Sequence, residues 1–327
     1  MGDNKTNQTA PDQAVDLKQK LFRINTIIGF LVAAVIIYVF ITRFDLGQTF
    51  SIIAGSNIFL LAVALVVFYG FLPIRGHRWR KLLQASGIEA PTIELTRIYF
   101  VAWFANSILP ARIGDIYRAY LLKKRRAVSF VLSLGVLFSE RIFDLAAAAI
   151  LVVLGGMFYM DFLTTSEFKN RLIIGLIIVG AIVLTFVVFT WRSGWLRRLL
   201  PKKLQGYYES FQQGLFRSPA KLPLISFESL VIWLSEAGRL YFVAWALGCH
   251  IDFMLAMFVS QAALIIMSLP LTPAGLGLVE LLMFGVLIPA GVPRETAAAI
   301  VIADRLISYW SLVIFGALHY LFSPRYR

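Results

Sequence analysis

Apolar residues run in blocks along this chain, and the lengths of the blocks predict two kinds of helix. Stretches at about 24–42, 50–72, 128–159, 171–191, 224–247 and 297–322 are long enough to cross a hydrocarbon layer, which takes roughly 20 predominantly apolar residues. Two other regions behave differently. The apolar run 98–109 is too short to cross and stops at Pro110, with Gly114 just beyond. The run 253–269 stops at Pro270, Pro273, Gly275 and Gly277, and a second short run follows at 278–290. A helix that stops part-way across a bilayer needs protein or a watery cavity around its broken backbone. The pattern therefore predicts re-entrant helical hairpins over 92–122 and 253–290, with Asn106 and Ser107 satisfying freed backbone groups at the first break.

Composition strengthens the membrane reading. Only 15% of the 327 residues are charged and 59% are hydrophobic, with a mean hydropathy of +0.78, whereas an ordinary soluble domain carries about 25% charged residues. The predicted fold is all-α: a polytopic membrane helix bundle with about six full spans and two re-entrant hairpins. Residues 1–23 read as a disordered polar tail, 24–322 as a single transmembrane domain and 323–327 as a short basic end. The first apolar block lacks a cleavage site before Thr42 and reads as an uncleaved span.

Net charge is +13, but the basic residues cluster between apolar blocks and carry no nucleic-acid motif, so no nucleic-acid partner is expected. The distribution fits the positive-inside rule. The tail, the segment after the second span with Arg75, Arg78, Arg80 and Lys81, the run Lys123, Lys124, Arg125 and Arg126, and the chain end all read as cytoplasmic. Segment 192–223 mixes basic and aromatic residues and reads as a cytoplasmic stretch along the headgroups or an ordinary basic loop. The single cysteine, Cys249, allows no internal disulfide, and the separated histidines His77, His250 and His319 predict no metal. The aromatic residues are expected mostly towards lipid. No phosphate-binding loop, dinucleotide fingerprint, nucleophile elbow or zinc-protease motif occurs, so no cofactor and no catalytic residue is expected.

An internal repeat emerges from the positions of the breaks and charges. Glu140-Arg141 and Asp304-Arg305 are the chain's acid-then-arginine pairs, 164 residues apart, and both lie inside apolar spans. Pro110 and Pro273, like Gly114 and Gly277, are 163 apart. The predicted repeat units are about 92–159 and 253–322, and the charge rule makes them run in opposite senses. Inverted repeats with broken helices hold their binding site near the midplane, where the units meet.

Charges inside spans need partners, since even lenient scales assign roughly 2.5–3.5 kcal/mol to each. The candidates are Arg112, Asp115 and Arg118 after the first break, Glu140, Arg141 and Asp144, then Glu236 and Arg239, Glu280, and Asp304 and Arg305. Helical spacing puts Arg141 and Asp144 on one face, as it does Glu236 and Arg239; Glu280 is within reach of Arg141 or Arg305. One reading makes these structural ion pairs. The other makes some arginines a phosphate site, because guanidinium presents a bidentate fork to phosphate oxygens.

These residues carry a resemblance. The ordered motifs running from Asn106 through Pro110, Arg112, Gly114 and Asp115 to Arg118, then Ser139-Glu140-Arg141 with Asp144, then Pro273, Gly275, Gly277 and Glu280 resemble the lysylphosphatidylglycerol synthase transmembrane (flippase-like) family. Ala274 departs from the pattern, where a further glycine is expected. The resemblance covers nearly the whole chain after the tail. It implies a lipid flippase domain with paired re-entrant helices. In the eponymous enzymes a soluble aminoacyl-transferase domain follows; this chain is expected to be a stand-alone member without synthase activity. Relatives are associated with varied lipids, so the substrate is not inherited.

The leading expectation is a flippase or transporter in the plasma or inner membrane, with both termini cytoplasmic. It would bind an anionic phospholipid or lipid-linked intermediate in a midplane cavity. The alternatives are an integral-membrane transferase using Asp115, Glu140 or Glu280 as general base, and a non-catalytic partner of a separate lipid-modifying enzyme. Lipid identity, direction, energy source and oligomeric state are not encoded legibly.

Overall fold

The computed structural model describes residues 45–109, 112–158, 201–215, 219–268 and 272–323, with isolated positions 173, 177, 180, 181, 184 and 197. The tail 1–23, the span expected at 24–42, most of the span expected at 171–191, Pro110 and Pro270 lie outside the described residues. Within them the fold is all-helical, with no strand.

The chain enters through α1 (Leu46–Ala54) and α2 (Ile58–Gly70). The sequence predicts one continuous span here, whereas Gly55 and Ser56 interrupt it and Asn57 restarts it, its side chain accepting from the amides of Phe59 and Leu60 at 3.0 and 3.3 Å. The Asn57 amide also donates to the Ala246 carbonyl at 2.7 Å, which pins this break to a distant helix end.

A second correction concerns the expected basic loop after α2. It is helix α3 (Leu72–Ala85), nearly continuous with α2. Pro73 lies in its first turn, where a missing N–H removes no intrahelical bond. Arg75 and Arg78 consequently turn inward, to 4% and 0% exposure.

The first predicted hairpin corresponds to α4 (Thr92–Ile108) and α5 (Ile113–Arg126), separated by the break at 109–112. Arg112 caps α5 in the left-handed region, at φ 52° and ψ 39°, which is uncommon for a side chain with a Cβ. Helices α4 and α5 approach closely at Gly114, where an added Cβ would stand 2.0 Å from the Ala102 carbonyl and 2.6 Å from the Asn106 side chain. Four basic residues close α5, complementing the negative end of its dipole.

Helix α6 (Phe130–Met157) follows, capped by the Ser129 hydroxyl; its 28 residues extend roughly 42 Å. Helix α7 (Lys202–Gly214) falls within the segment expected along the headgroups. It buries Tyr208 and Gln212 and packs on α6, with Phe211 against Phe138. The 25-residue α8 (Leu222–Ala246) then packs on α2.

The second broken region comprises α9 (Phe253–Ser268), a short turn Pro273–Gly275 and α10 (Leu278–Leu287). Gly275, 163 residues beyond Arg112, shares its left-handed backbone at φ 69°. The chain finishes with α11 (Arg294–Arg305), a wide π turn at Leu306–Trp310 and α12 (Ser311–Phe322). The two broken regions are interlocked: α12 packs on α4, and α9 packs on α6.

The helices Ile58–Ala85 and Arg294–Phe322 are long and apolar enough to cross a membrane. Their outer faces stay uncovered, with Ile58, Phe59, Ile314 and Phe322 all more than half exposed. Burial of such a surface requires lipid or a partner.

Packing at Gly114 yields a direct expectation. Gly114→Val lowers the melting temperature of the detergent-solubilised protein, by an overpacking cost of about 1–3 kcal/mol. Gly285→Ala, in α10 with open space around its added methyl, leaves melting unchanged or raised. Equal melting of Gly114→Val and the parent would refute the close α4–α5 contact.

Candidate functional site

Charged side chains from six of these helices point into the middle of the bundle and sort into three ion-pair groups. In the first, Arg78 is fully buried and donates to Asp144 Oδ1 at 2.7 Å, Glu140 Oε1 at 3.2 Å and the Ser229 hydroxyl at 2.8 Å. Arg118 approaches the other side of Glu140, at 2.6 Å. Its guanidinium lies 4.5 Å from the Trp79 ring centroid and 4.6 Å from that of Tyr99. Arg141 grips both oxygens of Asp115 through Nη2, at 2.8 and 3.0 Å, and reaches Asp144 at 3.4 Å. The indole N–H of Trp233 donates to Asp144 at 3.0 Å.

The second group joins α3, α8 and α11. Arg75 donates to Glu236 at 2.7 Å while lying 5.1 Å from the ring centroids of both Trp103 and Trp233. Arg239 pairs with Glu236 at 3.2 Å and with Asp304. The third group is a single pair, Arg305 to Glu280 at 2.8 Å. The other oxygen of Glu280 accepts the Gly277 amide at 2.6 Å, which closes the start of α10.

These groups surround a cavity in the middle of the bundle. Six arginines line it (75, 112, 118, 141, 239 and 305) against three carboxylates, Asp115, Glu236 and Asp304. Phe68, Trp103, Leu264, Met267, Met283 and Leu312 supply apolar wall. The lining is amphiphilic: guanidinium donors for an anion beside hydrocarbon and aromatic surface. Cation–π contacts and carboxylates hold Arg75 and Arg118 in fixed orientations. Among the described residues Arg112 has neither an ion pair nor a side-chain hydrogen bond.

All eleven charged residues singled out from sequence stand in or against this assembly. Arg112, Asp115, Arg118, Arg141, Glu236, Arg239, Asp304 and Arg305 line the cavity, and Glu140, Asp144 and Glu280 stand behind it as counter-ions. Asp115, three residues from both Arg112 and Arg118, pairs instead with Arg141 across to α6. Asn106 is expected to satisfy backbone at the break, yet its amide donates to the Asp115 carboxylate at 3.2 Å. Ser107 does bond backbone, the Trp103 carbonyl at 3.1 Å.

Two participants escape sequence reasoning. Arg75 and Arg78 follow an apolar span and look like topological charges; a helix-spaced signal was available in their three-residue interval, which matches that of Arg141 with Asp144 and Glu236 with Arg239. The aromatic residues also depart from expectation. Trp79, Tyr99 and Trp233 are 1%, 6% and 5% exposed, because arginine faces and indole rings cover each other inside the bundle.

Comparison with known proteins places this architecture. The family described as the lysylphosphatidylglycerol synthase TM region matches residues 26–316. A UPF0104 membrane protein of Methanocaldococcus jannaschii is 33% identical over 225 residues, covering 68% of this chain and 95% of that relative. A UPF0104 membrane protein of Methanothermobacter thermautotrophicus is 26% identical, covering 79% and 82% of the two chains. A Haloferax volcanii protein named glycosyltransferase AglD is 26% identical over 321 residues, covering 86% of this chain and 51% of that protein.

Removing one member of a buried ion group strands its partners. Arg78→Met is therefore expected to cost about 3–5 kcal/mol of stability, read as early thermal unfolding in detergent. Arg126→Met, which breaks an exposed pair with Glu94, leaves unfolding where it was. Comparable melting of the two variants would show that the Arg78 group does not hold the bundle.

Proposed function

This chain belongs to the lysylphosphatidylglycerol synthase transmembrane-region family and is an integral membrane protein, and from that premise we propose that it carries an anionic phospholipid or lipid-linked intermediate across the bilayer. The observation behind this reading is a cavity lined by six arginines, one of them without an ion pair among the described residues, beside an apolar wall. A phosphate-bearing amphiphile matches both surfaces: guanidinium forks suit phosphate oxygens, and hydrocarbon suits the methionine, leucine and phenylalanine lining.

In this reading the regions 92–159 and 253–322 are inverted repeats whose broken helices are hairpins entering from opposite membrane faces. Both chain ends are cytoplasmic, and the membrane is the cell membrane. Rocking of one repeat against the other would expose the cavity alternately. The interlocking of α12 on α4 and α9 on α6 supplies the shared surface along which such units could move.

A transferase acting on a lipid headgroup is the second reading, favoured by the name of the Haloferax relative. The match spans about half of that protein, so the name describes a protein with as much chain again outside the matched part. The carboxylates a transferase would need are committed elsewhere. Asp115 is held by Arg141, Glu140 lies between Arg78 and Arg118, and Glu280 is tied to Arg305. Both oxygens of each carboxylate already accept from a donor within the protein, which leaves neither free to turn to a substrate proton.

Proteoliposomes containing a headgroup-labelled anionic phospholipid provide the test. Transfer between leaflets is expected to exceed that of protein-free vesicles, and Arg112→Ala, Arg141→Ala and Arg305→Ala are each expected to slow it at least about tenfold, a loss of roughly 1.4 kcal/mol. Unchanged transfer in all three folded variants would remove the transport reading. Product formation from lipid plus sugar donor by the purified chain would replace it with the transferase.

A further inference from the structure

Charge arithmetic around the cavity points to the class of headgroup. The first ion group contains Arg78, Arg118 and Arg141 against Asp115, Glu140 and Asp144. The second contains Arg75 and Arg239 against Glu236 and Asp304. The third is Arg305 against Glu280. Each group is neutral by itself. Among the described residues Arg112 alone is left over, on a left-handed backbone at the cavity wall, so the described side chains of the assembly carry a surplus of one positive charge. His77 and Glu228 pair at 2.6 Å outside the cavity lining and do not enter this count.

Unpartnered buried atoms add to the picture. Arg305 Nη2 and the Thr272 hydroxyl are buried, lack hydrogen-bond partners and belong to cavity-lining residues. Asn106 Oδ1 is likewise buried and unpartnered. Its orientation is fixed, since the Asp115 carboxylate only accepts and must face the amide NH₂. The lining residues thus hold a guanidinium and a hydroxyl donor without partners, whereas the Asn106 oxygen packs towards Gly114 in the α4–α5 contact; a native structure rarely leaves such donors orphaned without a ligand or water to meet them.

We infer that the cavity is charge-matched to a lipid phosphodiester bearing one negative charge, with Arg112 as its counter-ion, and that it discriminates against lipid phosphomonoesters. The inference rests on the proposed lipid-carrying function and narrows it. A phosphodiester carries one ionisable proton and one charge, which the surplus cancels. A phosphomonoester carries about −1.5 to −2 near neutral pH, and its second charge would remain buried without a partner, the costly situation in a low-dielectric interior.

Full-length protein in detergent, with competition against a fluorescent phosphatidylglycerol, tests this. The competitors share acyl chains: phosphatidylglycerol, phosphatidic acid at pH 8 and diacylglycerol; dimethyl phosphate is the soluble arm. The expected result is phosphatidylglycerol binding at least about tenfold more tightly than phosphatidic acid, a difference of roughly 1.4 kcal/mol, with dimethyl phosphate and diacylglycerol far weaker. Arg112→Gln abolishes the preference and Arg112→Lys retains it. Glu280→Gln frees Arg305, raises the surplus to two and moves the preference towards phosphatidic acid.

Parent protein that binds phosphatidic acid as tightly as phosphatidylglycerol overturns the charge match and leaves the lipid reading standing. Folded Arg112→Gln that keeps the preference does the same, as does Glu280→Gln that fails to shift it should Arg112→Gln not fold. Diacylglycerol equal to phosphatidylglycerol, or dimethyl phosphate equal to both, sinks the lipid-phosphate reading itself.

Discussion

Guanidinium groups inside a bundle whose outer face is hydrocarbon are the constraint that orders this structure. Seven arginines and six carboxylates occupy the interior assembly. Each would cost several kcal/mol unpaired, after relaxation and water penetration. Their pairing therefore dictates which helices can be neighbours. Arg78 reaches 62 and 66 residues along the chain to Glu140 and Asp144, and Arg75 reaches 161 to Glu236. Helices α3, α6 and α8 must converge for these contacts to exist, and the cavity is the space left where they and the broken helices fail to fill the centre.

Packing makes this convergence possible. Gly114 lets α5 lie against the Ala102 carbonyl and the Asn106 side chain of α4 with no Cβ of its own in the way, which carries Asp115 and Arg118 towards α6. Aromatic rings do the rest. Trp103 and Trp233 flank Arg75, and Trp79 and Tyr99 flank Arg118, so donor direction is set by ring faces as well as by carboxylates. A lysine in either place would keep the charge but lose the planar stacking and the fork. The arginines are thus both structural members and the polar surface of the cavity, and the same contacts that stabilise the bundle orient the donors a phosphate would meet.

The helix breaks and the charged pairs inside spans were legible because both violate local expectations: apolar runs do not normally stop at Pro-x-x-x-Gly, and acids beside arginines do not normally sit in hydrocarbon. Sequence spacing also anticipated Arg141 with Asp144 and Glu236 with Arg239. The basic segment at Arg75 and Arg78 was not legible. Basic residues flanking an apolar span usually report topology, and the rule cannot separate an arginine that stays in the headgroups from one that a continuing helix turns inward. Pro73 suggests a stop by composition, while its place in the first turn permits continuation. The break at Gly55 was hidden for the reverse reason, since the flanking residues are apolar on both sides and the signal is the Asn57 cap alone. Pairings across distant helices, such as Asp115 with Arg141 rather than with its helical neighbours, depend on tertiary approach and leave no local trace.

Neutral groups plus one surplus arginine have a mechanical consequence under the proposed reading. A cavity holding an uncompensated guanidinium resists drying, because closing it empty would bury Arg112 away from both water and anion. A cavity holding a singly charged phosphate is neutral and can exclude water at far less cost. Closure is then favoured by cargo, since the ligand contributes its binding differentially to the closed state, as any ligand-driven shift requires. The left-handed backbone at Arg112 belongs to the same logic: an uncommon conformation persists only where its surroundings hold it in place, and here it goes with the cavity-lining arginine that, among the described residues, has no ion pair.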